Sequence, residues 1–143
     1  GLEAEGPLMG RESRFARQPN DWYPTDRRAL DALLPHLEPG TLFMEPCAGD
    51  GRLVTWLEEA GHQCGYAFDI APRSEAVYPR DALLPFPPGI YTCTIITNPP
   101  YERDLMHELL GHWLGQGWSC WLLIDAPWMQ TRQAAAWLGH CTA

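Results

Sequence analysis

Two hydrophobic periodicities alternate along the chain. Between Asp26 and Leu37, leucines recur at spacings of three and four residues, at positions 30, 33, 34 and 37, which is the pattern of one apolar face of an α-helix. Thr25 or Asp26 offers a side-chain oxygen that can cap the first turn, and a Pro-Gly pair follows shortly after the last leucine. This segment is therefore predicted to be an amphipathic helix.

Short apolar or β-branched runs, each followed by a helical pattern or a turn, make up the rest of the folded region. We predict strands at Thr41–Glu45, Cys64–Asp69, Val77–Asp81, Ile90–Thr97 and Cys120–Asp125, and helices at Asp26–Leu37, Arg52–Ala60, Asp104–Leu114 and Arg132–Leu138. Alternation of strands with helices predicts an α/β fold, with a mostly parallel, Rossmann-like sheet and helices on both of its faces.

The length of 143 residues fits one domain. We expect residues 1–20 to be a cloning remnant followed by a basic arm, and residues 21–143 to form the catalytic domain. Five arginines against three acids give residues 10–28 a local charge of +2, whereas the whole chain carries −8. The net charge argues against a protein that coats nucleic acid electrostatically, so contacts with phosphate are expected in this arm.

Composition excludes several other classes of protein. Apolar residues at 45% and charged residues at 20% exclude wholesale disorder. No apolar run reaches the ~18 residues needed to cross a bilayer and no signal peptide opens the chain, so we expect no membrane partner and a cytoplasmic, bacterial or phage-encoded protein. The five cysteines lie at least 17 residues apart, which matches neither a zinc site nor a disulfide framework.

Acidic residues and glycines stand where the first three strands are predicted to end. The first strand ends at Glu45 and leads into a turn whose Gly49 and Gly51 permit close approach of a ligand. The third glycine of a dinucleotide site is absent, and an acid at this point suits a cation better than a pyrophosphate. Asp69 can accept from ribose hydroxyls and Asp81 from an exocyclic amine, although each also fits an ordinary surface acid.

The fourth strand is followed by the most specific motif, Asn98-Pro99-Pro100-Tyr101. Two prolines cannot donate ladder hydrogen bonds, so the strand must end and the backbone becomes stiff and extended. The Asn98 side-chain oxygen and the neighbouring carbonyls can then accept both N–H groups of a planar amine while Tyr101 stacks on its ring. Such a site favours chemistry on an exocyclic amino group.

Taken together, these segments resemble the class I S-adenosylmethionine-dependent amino-methyltransferases, and small phage-type DNA N6-adenine methyltransferases most of all. The resemblance implies S-adenosyl-L-methionine as cofactor, no metal, and DNA or RNA as partner. It implies that Asn98, Pro99, Pro100 and Tyr101 are catalytic, and that Tyr101 and Trp128 bind the substrate base. It implies cofactor contacts from Tyr23, Pro24, Thr25, Glu45, Pro46, Cys47, Ala48, Gly49, Gly51, Asp69, Ile70, Asp81, Ala82 and Asn98.

The chain departs from this family in two respects. Family members continue with two more strands that form an antiparallel edge, so we expect either a truncated chain or a second copy or partner chain that completes the sheet. Only 16 residues separate Asp81 from Asn98, which leaves no target-recognition domain. Two alternatives to DNA methylation therefore stay open: methylation of a protein glutamine, and a non-catalytic remnant that binds the cofactor without turnover.

Overall fold

A computed structural model describes residues 24–86, 93–100 and 102–124. The helices are α1 (Arg27–Leu33), α2 (Arg52–Glu59) and α3 (Arg103–Gly115), and a 3-10 turn at Leu34–His36 extends α1. The strands are β1 (Leu42–Glu45), β2 (Gln63–Asp69), β3 (Tyr78–Pro79), β4 (Thr94–Thr97) and β5 (Cys120–Leu122).

The five strands form one sheet in the order β3-β2-β1-β4-β5, and every neighbouring pair is parallel. From β1 the chain moves outward through β2 and β3 on one side, then returns to place β4 and β5 on the other. The strand order therefore reverses between β1 and β4, and ligands of open α/β sheets bind at such a reversal. The predicted α/β fold with a parallel sheet is confirmed.

Neighbouring residues of a strand point to opposite faces of the sheet. Both faces carry apolar side chains here, so helices cover both of them. Phe43 and Ile96 pack on one face against leucines of α1 and α2, whereas Met44 and Ile95 pack on the other against α3 and its fully buried Trp113. The register pairs Met44 with Ile95 across the two central strands. The central strands are thus buried on both faces of the sheet, and this packing fixes where their carboxyl ends lie.

Helix ends follow the capping signals in the sequence. The Asp26 side chain accepts from the Arg28 N–H at 2.9 Å and caps α1, and the Glu102 carboxylate accepts from the Asp104 and Leu105 N–H groups at the start of α3. The α-helical part of the first helix is shorter than predicted. Pro35 has no N–H to continue the ladder, so the chain tightens into the 3-10 turn.

Three strands differ most from the sequence prediction. The third strand shrinks to two residues, and the fifth ends at Leu122 rather than Asp125. The fourth strand begins at Thr94, and Cys93 before it is not part of the strand; residues 87–92 and the predicted helix Arg132–Leu138 lie outside the described ranges. Within the described ranges, no helix has the length and apolarity needed to cross a membrane.

Candidate functional site

The carboxyl ends of β1, β2 and β4 meet at one edge of the sheet because the strands are parallel. This edge carries Glu45 at the end of β1, Asp69 at the end of β2, and Thr97 followed by Asn98 at the end of β4. A backbone hydrogen bond of 2.9 Å from Arg80 N–H to the Asp69 carbonyl keeps the end of β3 alongside. The predicted site residues that the structure describes are therefore gathered at a single edge.

The turn between β1 and α2 needs glycine at two positions. Gly49 has φ +56° and Gly51 has φ +82°, in the left-handed region that residues with a Cβ rarely adopt. The Gly51 N–H donates to the Ala48 carbonyl at 2.8 Å, and the Ala48 N–H donates to the Phe68 carbonyl of β2 at 2.9 Å. The turn is thus joined to the neighbouring strand as well as closed on itself.

Asp69 completes this turn with its side chain. Its Oδ2 accepts from the Gly49 N–H at 2.9 Å, and its Oδ1 accepts from the Ala71 N–H at 2.8 Å. An ionised carboxylate has about four acceptor positions, so two backbone bonds fix its place and leave capacity for hydroxyl donors. Ile70, which follows it, is half-buried. The arrangement suits the acceptor of a diol that was predicted for Asp69.

Glu45 is 1% exposed, and its Oε1 accepts from the Cys47 N–H at 2.9 Å. Burial raises the pKa of Glu45 to about 8, and hydrogen bonds from the Thr97 side chain and, to a smaller extent, from the Cys47 N–H oppose this rise without cancelling it. At neutral pH the carboxyl therefore keeps its proton for most of the time. A cationic ligand at this edge would therefore meet less negative charge than it would if Glu45, Asp69 and Asp81 were all ionised.

Cys47 lies beside Glu45 but is not suited to nucleophilic chemistry. Burial raises the pKa of the Cys47 thiol well above its ordinary value, and the nearby Glu45 and Asp69 add to the rise. A thiol is a nucleophile only as the thiolate. The side chain therefore serves as a small apolar group in the turn, next to the buried Pro46.

Asp81 follows β3 and is 4% exposed, and the Ala82 beside it is 2% exposed. Its Oδ1 accepts from the Leu83 N–H at 2.8 Å and forms a tight turn. Its Oδ2 is buried and has no hydrogen-bond partner among the described residues. A buried carboxylate oxygen without a donor is costly, so this atom is suited to accept from an amino group of a ligand.

At the end of β4, Thr97 is fully buried, and its side chain lies close enough to Glu45 and Cys47 to lower the pKa of each. The next residue, Asn98, is half-buried, with Pro99 buried and Pro100 half-buried after it. The Asn98 Nδ2 donates to the Thr25 Oγ1 at 3.3 Å. The short segment before α1, with Pro24 exposed and Thr25 half-buried, thus reaches the predicted catalytic asparagine.

Three predicted site residues, Tyr23, Tyr101 and Trp128, lie outside the described residues. The other predicted site residues are all at or next to the strand-end edge. In the part of the chain that the structure describes, no group of three or more His, Cys, Asp or Glu residues is arranged to hold a metal ion.

Sequence reasoning missed the aromatic cluster that holds the segment after Asp81. The Phe86 ring lies 5.1 Å from that of Trp118 and 5.8 Å from that of His112, in edge-to-face geometry. The His112 Nε2 lies 3.2 Å from the Leu84 carbonyl oxygen. No periodicity links residue 86 to residues 112 and 118, so only the tertiary structure reveals that α3 and the residues after it support the Asp81 turn.

The sequence missed Thr97 as well, although one signal was present. A threonine that ends an apolar strand directly before Asn98 has its hydroxyl at the level of the site.

Comparison of the chain with protein-family models, with curated proteins and with solved structures finds no match.

Proposed function

We propose that this protein transfers a methyl group from S-adenosyl-L-methionine to the N6 amine of adenine in DNA, in a Rossmann-like class I methyltransferase fold. One observation carries the proposal: the glycine turn fixed by Asp69 and the Asn98-Pro99 strand end stand on adjacent central strands, where the strand order reverses. A methyl donor and an amine bound at these two strand ends would be neighbours.

The residues at the edge fit the methyl donor. The Asp81 Oδ2 is a buried acceptor without a partner among the described side chains, as an adenine amine would require. Asp69 is held by backbone donors with acceptor capacity left for ribose hydroxyls. Gly49 and Gly51 keep side-chain atoms out of the turn itself. When bound, S-adenosyl-L-methionine supplies an electrophilic methyl group on a sulfonium, which needs no metal for activation.

Asn98 and the Pro99 carbonyl act on the target amine. The exocyclic nitrogen of adenine is a poor nucleophile because its lone pair is delocalised into the ring. Two acceptors on its N–H groups favour a pyramidal nitrogen and stabilise the positive charge that develops there. The proline pair holds these acceptors rigidly, so orientation provides much of the remaining rate enhancement.

Adenine in DNA is preferred to a protein glutamine for two reasons. The segment containing Thr25 lies at Asn98, as the resemblance to adenine-specific enzymes implies. The arginines of residues 10–28 offer phosphate contacts that a glutamine side chain would not use.

The test is methyl transfer from tritiated S-adenosylmethionine to adenine-containing DNA, with wild-type protein and the Asn98→Ala variant. Loss of the side-chain acceptor should lower kcat by about 10²–10³-fold and leave the Kd of S-adenosylhomocysteine, measured by calorimetry, unchanged. Gln63→Ala is the matched control, because it removes an exposed amide where β2 begins, at the opposite edge of the sheet.

Three outcomes would contradict the proposal. Wild-type protein that binds S-adenosylhomocysteine but labels no DNA would indicate a non-catalytic binding module. Methylation of glutamine in a protein, without labelling of DNA, would move the same chemistry to the other substrate. Asn98→Ala as active as Gln63→Ala would remove Asn98 from the mechanism.

A further inference from the structure

We propose that Thr25 is a positioning residue that sets the orientation of the Asn98 side-chain amide. The inference rests on the proposed function, since it concerns the acceptor that Asn98 presents to the target amine. It assigns to the Thr25 hydroxyl a protein partner, whereas the resemblance implied a contact with the cofactor.

The observation is a hydrogen bond between residues that are 73 positions apart in sequence, from the Asn98 Nδ2 to the Thr25 Oγ1 at 3.3 Å. Both side chains are half-buried. Asn98 follows the last residue of β4 directly, so its backbone is fixed by the sheet.

The start of α1 places Thr25. It immediately precedes Asp26, which caps α1 through the Arg28 N–H at 2.9 Å and whose carbonyl accepts from the Ala29 N–H at 3.0 Å. The buried Leu30 and Leu33 of α1 pack in the same core as Ile96 of β4. One hydrophobic core thus sets the distance between the Thr25 hydroxyl and the end of β4.

The chemical consequence follows from the planarity of the amide. If the Asn98 Nδ2 donates to the Thr25 hydroxyl, the plane and direction of the side-chain amide are fixed, and Oδ1 lies on the opposite side of the amide carbon. An amide turned by half a rotation would present its NH2 group where an acceptor is required. Two donors would then face each other, and the stabilisation of the amine would be lost.

Three interpretations of Thr25 differ in what its hydroxyl does. If it orients Asn98, its removal lowers kcat and leaves binding of the methyl donor unchanged. If it binds the methyl donor instead, its removal raises the Kd of S-adenosylhomocysteine. If only its shape matters, the isosteric valine behaves as threonine does.

The experiment compares Thr25→Val, Thr25→Ser and wild type, with Thr55→Val on the exposed surface of α2 as the matched control. We expect Thr25→Val to lower kcat about tenfold, the effect of one hydrogen bond, with an unchanged Kd for S-adenosylhomocysteine. Thr25→Ser should restore most of the rate. A raised Kd with unchanged kcat, or no change in either, would overturn the inference.

A second measurement does not depend on activity. The chain has two asparagines, Asn20 and Asn98, so a sample labelled with ¹⁵N-asparagine gives two pairs of side-chain NH2 signals, and Asn20→Asp assigns them. The Asn98 signal should shift in Thr25→Val and keep its position in Thr25→Ser and Thr55→Val. An unmoved signal would refute the contact, whereas inactive wild-type protein with the expected shift would refute only the proposed function.

Discussion

The acids along the strand-end edge satisfy their carboxyl oxygens in two different ways. At the ends of β1 and β2, Glu45 and Asp69 each accept backbone N–H groups of the turns that follow them. After β3, Asp81 is only 4% exposed, yet its Oδ2 has no partner among the described residues. The protein's own backbone thus holds the first two acids, whereas the third keeps one oxygen that a ligand can satisfy.

This difference separates acids that hold the site in shape from an acid that is suited to bind a ligand. The acids after β1 and β2 hold the glycine turn in shape before any ligand arrives, so loss of an acceptor atom at either position should cost stability. An unpartnered buried oxygen costs free energy in the folded protein, and a ligand that donates to it recovers that cost. A change at Asp81 should therefore affect ligand binding more than folding.

The largest effect is expected for Glu45→Gln and depends on pH. The pKa of Glu45 in the folded protein is about 8, above its value in the unfolded chain. The folded state therefore binds more protons from about pH 4.5 to 8, and the free energy of unfolding falls as pH rises through this range, by up to about 1.4 kcal/mol per pH unit. Glutamine is neutral and still accepts from the Cys47 N–H, so this fall should disappear.

Urea denaturation of wild type and Glu45→Gln at pH 5, 6, 7 and 8 measures the difference. The two proteins should be closest in stability at pH 5, and the variant should be the more stable at pH 8. Parallel profiles would show that folding does not raise the pKa of Glu45, and would contradict the distinction between acids that the protein itself satisfies and the acid that it leaves with an unpartnered oxygen.

Asp69→Asn should cost less, about 1–3 kcal/mol of unfolding free energy at pH 7. Asparagine has one acceptor where Asp69 uses two, so an NH2 group would face the N–H of Gly49 or of Ala71. Asp31→Asn is the matched control, because Asp31 is exposed and forms an i,i+4 pair with Arg27, worth about 0.3–0.5 kcal/mol. Equal stability of the two variants would show that Asp69 does not fix the turn.

The smallest change in stability, within about 1 kcal/mol of wild type, is expected for Asp81→Asn. The asparagine oxygen can keep the bond from the Leu83 N–H, and its NH2 group replaces the oxygen that had no partner. Affinity for S-adenosylhomocysteine, by contrast, should fall about tenfold, the value of one lost hydrogen bond in a buried site. A variant that unfolds as readily as Asp69→Asn, or binds as tightly as wild type, would contradict the comparison.

Much of the fold was predictable because its signals are local. The spacing of the leucines in α1, the β-branched run of β4 and the glycine turn after β1 each depend on a few neighbouring residues, and the structure has these elements close to where the sequence placed them. The order of acids and glycines at successive strand ends likewise predicted that the site residues would share one edge.

Pairings between distant residues were not predictable, because no period connects them. Sequence alone could propose both Thr25 and Asn98 for the site but not the hydrogen bond between them. Nor could it distinguish Asp69, with both oxygens occupied, from Asp81, with one left over, since each is simply an acid after a strand.

The sequence by itself determined the alternation of helices and strands and the chemical types that stand at each strand end, because periodicity and turn chemistry act over a few residues. Only the tertiary structure decided how deeply Glu45 is buried, and therefore that it keeps its proton near neutral pH. Desolvation depends on the atoms packed around a group, and those atoms come from strands and helices that the linear order keeps far apart.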